Sequence, residues 1–350
     1  MARLGRDNLR VLLDGGRIIG GLGFYRLGQW FGGRSVSLAG VAGVGVAPEA
    51  RGRGMAASMC TDLLREVAAD GFALAGLFPT TATLYRSVGF EQAGARLTYR
   101  APVASLPRGG YARPCRPVAP ADHAVFHALY NARARSWNGH LDRTSSLWER
   151  IVTEVPGVML DAYTVGDPME SYAVLARRPL GSRWFDLVLR DYGYANPSAI
   201  ARILTLLGDL RSIARHVEWN GCAADPIASL LPEYTCEVVA SERWMLRVLD
   251  VVRALEARGY PPVTADVHLR VRDSLFAAND GLFVLHVDRG VARVERGGRG
   301  DVALDVRGLA AMYSGFAHPH TLVGAGLLEG DAGVLASLFA GPDPWCCDHY

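Results

Sequence analysis

Apolar residues along the first hundred positions switch between a period of two and a period near 3.6. Leu9–Leu13 and Arg17–Leu22 are short apolar runs on either side of Asp14-Gly15-Gly16, a pattern that predicts a β-hairpin. A loop around Trp30-Phe31-Gly32-Gly33 follows, and the loose alternation of Val36–Val46 predicts another strand. Met55, Met59, Leu63 and Val67 recur at helical spacing with charges opposite them, so Met55–Ala69 reads as an amphipathic helix stopped by Gly71. Ala73–Phe78 reads as a short buried strand, Thr80–Val88 as a short helix and Gly94–Arg100 as a strand. This alternation defines an α/β unit.

Pro102–Arg113, with two prolines and a Gly-Gly pair, reads as a linker. A second α/β region follows, with helices expected over Ala121–Ala134, Ser145–Val155 and Pro197–Leu210. Its strands are expected near Val158–Val165, Tyr172–Arg177 and Trp184–Leu189. From about Trp244 the pattern changes to a helix over Val251–Ala257 and strands over Val267–Val271, Gly281–Val287, Ala292–Glu295 and Val302–Val306. Helical segments near Leu309–Tyr313, Thr321–Gly324 and Ala332–Ala340 complete it. A chain of 350 residues suits two or three domains; three are expected here, over 1–105, 106–242 and 243–350.

Composition narrows the class. A formal charge of +2 with no basic run argues against nucleic-acid binding. All 37 basic residues are arginine, so only the N-terminal amine could be acylated in cis. No stretch has the length of a membrane span and Met1-Ala2-Arg3-Leu4 lacks a signal-peptide core, which predicts a cytoplasmic protein with no membrane partner. The six cysteines, at 60, 115, 222, 236, 346 and 347, form no zinc-ligand spacing, so no metal is expected. Cys346-Cys347 allows a vicinal disulfide or two reduced thiols.

The chemistry concentrates in Val44-Gly45-Val46-Ala47-Pro48-Glu49-Ala50-Arg51-Gly52-Arg53-Gly54-Met55-Ala56, where a strand enters an Arg/Gly loop that opens directly into a helix. The first amides of a helix lack internal partners and its macrodipole places partial positive charge there, so such a junction captures anions. Glycines at 52 and 54 let the backbone approach a pyrophosphate. The loop lacks the Gly-Lys-Ser/Thr of a nucleotide P-loop and the G-x-G-x-x-G of a dinucleotide site, and no G-x-S-x-G points to a serine nucleophile.

Arg51-Gly52-Arg53-Gly54-Met55-Ala56 instead resembles the R/Q-x-x-G-x-G/A signature with which GNAT acetyltransferases hold the pyrophosphate of coenzyme A. Leu84-Tyr85-Arg86-Ser87-Val88-Gly89-Phe90 resembles the L-Y-x-x-x-G-F segment of the same superfamily. With Trp244–Tyr260 and the ending Pro344-Trp345-Cys346-Cys347, the chain resembles the Eis (enhanced intracellular survival) family. That resemblance implies tandem GNAT-like domains, the second degenerate, followed by a sterol-carrier-protein-like α+β domain. It implies acetylation of amines, aminoglycosides among them, with acetyl-CoA as co-substrate, and a homo-oligomer, hexamer or dimer.

Carried over residue by residue, the resemblance has backbone groups of Val44 and Val46 hold the thioester arm. Arg51 to Ala56 (Arg51, Gly52, Arg53, Gly54, Met55, Ala56) cradle the pyrophosphate, and Thr80 lies near the cofactor. Tyr85 protonates the departing thiolate, and the carboxylate of Tyr350 helps deprotonate the amine. Other readings stand beside these: Tyr85 packing on Phe90 with its hydroxyl tied to backbone, and Trp30 and Phe31 as an acceptor wall or plain packing. An acyltransferase of longer chains and a non-catalytic coenzyme A or lipid binder are the functional alternatives. Two departures from the family pattern are expected to matter. The superfamily's first strand and two helices, about 40 residues at ordinary element lengths, do not precede the hairpin in this sequence. His349 also stands where aminoglycoside-acetylating relatives carry an acid, which argues against a polycationic acceptor.

Overall fold

The computed structural model describes residues 4–109, 111–153 and 156–350. Met1–Arg3, Gly110 of the expected linker, and residues 154 and 155 of the expected helix Ser145–Val155 lie outside them.

Along the chain run β1 (Leu9–Asp14), β2 (Arg17–Phe31), β3 (Arg34–Val46), α1 (Met55–Ala69), β4 (Leu74–Leu77), α2 (Ala82–Ser87) and β5 (Glu91–Pro102). Then come β6 (Cys115–Val118), α3 (His127–Ala134), β7 (Leu141–Asp142), α4 (Ser145–Val152), β8 (Met159–Val165), β9 (Ser171–Leu180), β10 (Trp184–Tyr194), α5 (Pro197–Gly208), β11 (Ala214–Gly221), α6 (Pro226–Leu230) and β12 (Glu237–Val248). The last stretch holds α7 (Val251–Ala257), β13 (Ala265–Arg272), β14 (Gly281–Asp288), β15 (Val291–Arg296), β16 (Val302–Asp305), α8 (Val306–Tyr313), α9 (Pro319–Gly324), β17 (Leu328–Gly330) and α10 (Gly333–Leu338).

These elements form two compact units. The first comprises 1–95, 137–142 and 243–350; the second comprises 96–136 and 143–242. In the first unit the strands are ordered β1-β2-β3-β4-β12, with β7 paired to β2, and a separate sheet runs β15-β14-β13-β16-β17. The β3–α1–β4 segment is a crossover between parallel strands. Met59, Cys60, Leu63, Leu64 and Val67 of α1 bury one face against Leu22, Phe24, Val41 and Leu77. At about 1.5–3 kcal/mol for each large aliphatic chain, that face fixes the helix on the sheet. The C-terminal segment joins this unit through the fully buried Arg247–Asp273 pair, two-pronged at 2.7 and 2.9 Å. Glu91, 4% exposed, adds a second tie by accepting from both Arg86 and Arg307.

In the second unit the order is β5-β11-β10-β9-β8-β6, and β10–α5–β11 repeats the parallel crossover. Its helix begins differently. Pro197 occupies the first turn and the Asn196 side chain accepts from the Ala199 amide at 2.9 Å. The free amides that make an anion site are thus partly satisfied by the chain itself.

Several expectations are corrected. β2 runs through Trp30 and Phe31, and only Gly32-Gly33 turn, because both aromatics are buried in the sheet. The helix expected over Ala121–Ala134 begins at His127, after a 3-10 stretch broken at Asp122. Strands β6, β7, β11, β12 and β17 and the short helix α6 were not expected.

Candidate active site

β3 and α1 are joined by eight residues with no space-filling side chain at the critical points. Gly52 and Gly54 adopt φ of +76° and +73°, and an added Cβ at either would meet nothing within 4 Å. They are required by backbone conformation rather than by crowding. Gly54 is the N-cap of α1; no side chain caps that end and no acid lies in the first turn. The outward amides therefore keep their donors and their positive field.

Val46, Arg51, Gly52, Gly54, Met55, Ala56 and Leu84 line a pocket of about 140 Å³ over this end. Arg53, Val44 and Thr80 are not among its walls. Arg51 is exposed and its Nε donates to the Val46 carbonyl at 3.1 Å. Arg53 stands 3.9 Å from Asp14 on the surface. Val44 and Val46 pack their side chains half-buried on the first core. Thr80 is exposed, two residues ahead of α2 rather than in it. A larger open concavity, about 590 Å³, lies on β13, β14 and β15. Its charged groups are largely spent on one another, as in the His286–Asp266 contact at 2.7 Å, so the smaller pocket is the better candidate for chemistry.

Tyr85 follows Leu84 on α2 and is 5% exposed. Its ring meets Phe90 edge-on at 5.9 Å, which matches the packing alternative, but among the described residues its hydroxyl has no bond to backbone. Burial, with the Cys60 thiol nearby, pushes its pKa up to about 12.

Tyr350 belongs to the same unit and is 7% exposed. Its ring meets Phe78, just beyond β4, edge-on at 5.6 Å, while His349 stacks on the Phe78 ring at 4.5 Å. The tail reaches this place through Trp345, whose amide donates to the Asn138 carbonyl at 3.1 Å. Asn138, Gly139 and His140 form a clasp that sequence reasoning missed. On its other side Trp30 N–H donates to His140 O and Gly139 N–H to Trp30 O, both at 2.8 Å. Asn138 also accepts from Gly32 N–H at 2.8 Å and donates to Ser314 O at 3.0 Å. Beside the clasp, Cys347 Sγ lies 3.6 Å from His140 Nδ1, and among the described residues neither Cys346 nor Cys347 forms a disulfide.

Among the described residues no helix is long and apolar enough to cross a membrane. A crossover helix with an uncapped, Gly-lined N-terminus beside a buried tyrosine is the arrangement of an acyl-CoA-using transferase, and the comparisons agree. Residues 1–93 and 139–248 match the acetyltransferase (GNAT) domain, and residues 251–347 match the sterol carrier protein domain. N-acetyltransferase Eis of Mycobacterium tuberculosis is 27% identical over 322 residues, covering 83% of this chain and 74% of the relative. The crystal structure of a GCN5-related N-acetyltransferase from Anabaena variabilis superposes with a TM-score of 0.95 at 34% identity, covering 100% of this chain and 91% of that one. Eis1 from Mycobacterium abscessus shares the fold, with a TM-score of 0.84 at 23% identity over 99% and 91% of the two chains. This chain belongs to the Eis family of GNAT N-acetyltransferases, with tandem GNAT domains and a sterol-carrier-protein-like C-terminal domain. It is an acyltransferase.

Proposed function

We propose that the chain transfers an acetyl group from acetyl-CoA directly to a primary amine of a small molecule. The observation that carries this reading is the uncapped, acid-free N-terminus of α1 opening into the pocket lined by Arg51, Gly52 and Gly54. The pyrophosphate sits on the amides of Gly52 to Ala56, with Arg51 and Arg53 adding charge. Backbone groups of Val44 and Val46 take the thioester arm and Thr80 lies beside it. The amine nitrogen bonds to the thioester carbon, the carbon–sulfur bond breaks, and the sulfur leaves with the electron pair.

Tyr85 serves that leaving sulfur. Its pKa of about 12 exceeds that of an ordinary thiol, about 8.5, so full proton transfer to the departed thiolate is uphill. The hydroxyl therefore acts as a hydrogen-bond donor that stabilises the developing thiolate and keeps its own proton. The carboxylate of Tyr350 takes the proton that the attacking nitrogen loses. Residues 1–105, 106–242 and 243–350 are read as three domains, with the cofactor held by the first.

Differential scanning fluorimetry with acetyl-CoA, followed by a coupled thiol-release assay with a panel of small amines, tests the reading. Saturable stabilisation, about 2.7 kcal/mol at 100 times the dissociation constant, together with amine-dependent thiol release, is expected. Absence of any stabilisation would sink it. A panel of longer acyl-CoA donors separates acetyl transfer from transfer of longer chains.

A further inference from the structure

We propose that Gly40 and Gly76 are positioning residues that seat the Tyr350 ring and so fix its carboxylate at the fork of β3 and β4. This rests on the reading that the Tyr350 carboxylate takes the amine proton. Gly40 and Gly76 face each other across the parallel β3–β4 ladder, whose paired residues are Leu38↔Leu74, Ala39↔Ala75 and Gly40↔Gly76. Beyond that pair the β3–β4 ladder ends: β3 goes on along β2 to Val46 and β4 along β12 to Leu77, so the glycines mark the point where the two strands part.

The ring lies directly on both. A Cβ added at Gly40 would stand 2.8 Å from both Leu27 Cδ1 and Tyr350 Cδ2, and 2.9 Å from Tyr350 Cε2. One added at Gly76 would stand 2.7 Å from Tyr350 Oη, with Leu38 Cδ1 at 3.1 Å and Met245 O at 3.6 Å as the next atoms. Neither glycine has a positive φ, so closeness of approach, not backbone conformation, is what excludes a side chain here. The Tyr350 hydroxyl is buried and has no hydrogen-bond partner among the described residues. Such a group destabilises rather than anchors, so packing on the two glycines and Phe78 holds the residue.

The two clashes differ, and that difference gives the test. At Gly76 the part of Tyr350 in the way is the hydroxyl, with Leu38 Cδ1 next; at Gly40 it is the ring, together with Leu27 Cδ1. Gly76→Ala and Gly40→Ala are each made in the native and in the Tyr350→Phe background, and each is compared with its own parent. The readouts are kcat, amine KM, acetyl-CoA affinity by calorimetry and the far-UV circular dichroism spectrum. In the native background both substitutions are expected to lower kcat about 10²-fold, the usual cost of a misplacement near 1 Å, with acetyl-CoA affinity within about threefold because the cradle is elsewhere. In the Tyr350→Phe background Gly76→Ala should cost less than about threefold, while Gly40→Ala should cost as much as before. Unchanged kcat in native Gly76→Ala, or an equal loss in both backgrounds, overturns the proposal. A Gly-Ser extension after Tyr350 tests the underlying reading separately: unchanged kcat in the extended protein removes the carboxylate from the reaction whatever the glycine variants do.

Discussion

Arg51 Nε donates to the carbonyl of Val46 at 3.1 Å, so the first arginine of the cradle is tied to the end of the strand that feeds it. This bond orients the guanidinium at the mouth of the pocket that Arg51 and Val46 both line, and the remaining Arg51 donors form no ion pair among the described residues. Arg53 lies outside those walls, with its side chain 58% exposed and Asp14 at 3.9 Å. The two arginines of one motif are thus not equivalent.

Arg51→Ala is expected to weaken acetyl-CoA binding by about 10- to 100-fold, the worth of one hydrogen bond to a charged group, about 1.5–3 kcal/mol. Arg53→Ala should weaken it by less than about fivefold, as exposed ion pairs contribute about 0–1 kcal/mol. Calorimetric titration of both variants decides the matter. Equal losses would show that the Val46 tether confers no advantage.

Asn138→Ala probes the clasp. The side chain is 3% exposed, accepts from the Gly32 amide and donates to the Ser314 carbonyl. Truncation leaves the buried Ser314 carbonyl without its partner, at about 1–3 kcal/mol, and releases the amide of the exposed Gly32. A stability loss of about 1–3 kcal/mol by urea denaturation is expected, with a fall in kcat as the tail that hangs on the Asn138 carbonyl loosens. A loss under about 0.5 kcal/mol would mean that water replaces both bonds.

The sequence carried the parts of this fold whose causes are local. α1 occupies the expected Met55–Ala69 because an apolar stripe lies between two glycines, Gly54 and Gly71, that set its ends. α7 likewise matches Val251–Ala257, where the Asp250 side chain caps the first turn. β2 was cut short because Gly20, Gly21, Gly23 and Gly28 dilute its alternation, and because Trp30-Phe31 next to a Gly-Gly turn resembles loop chemistry. β11 was missed because Arg215, His216, Glu218 and Asn220 leave few apolar positions, although Val217 and Trp219 are buried.

The cradle could be read from the motif alone, whereas the seat of Tyr350 could not. Gly40 and Gly76 are ordinary strand glycines until residue 350 is laid on them. Asn138 means nothing until Gly32, Ser314 and Trp345 are brought to it from 106 and more positions away. Contacts of that separation leave no periodicity to read.

Tyr85→Phe separates the hydroxyl from the ring. The ring's contact with Phe90 is kept, so acetyl-CoA affinity should change less than about threefold, while kcat falls about 10²–10⁴-fold, the usual range for one general acid. A pH series adds a second readout that packing alone would not produce. The phenol titrates near 10 when unfolded and at about 12 in place, because burial disfavours the phenolate. Below pH 10 both states hold the proton and the stability it contributes is fully present. Between about 10 and 12 the unfolded chain gives up the proton first, so it binds fewer protons than the native state and stability declines as pH rises. Phenylalanine has no such proton. The stability difference, native minus Tyr85→Phe, should therefore be flat up to about pH 9 and shrink steadily toward pH 12 in chemical denaturation. The same raised pKa keeps the donor protonated through the neutral range, so Tyr85 should put no basic limb on the kcat profile below about pH 11. A basic limb near pH 9 that disappears in Tyr85→Phe would show a phenol far more acidic than its burial allows, and would make it a full proton donor rather than a hydrogen-bonding one.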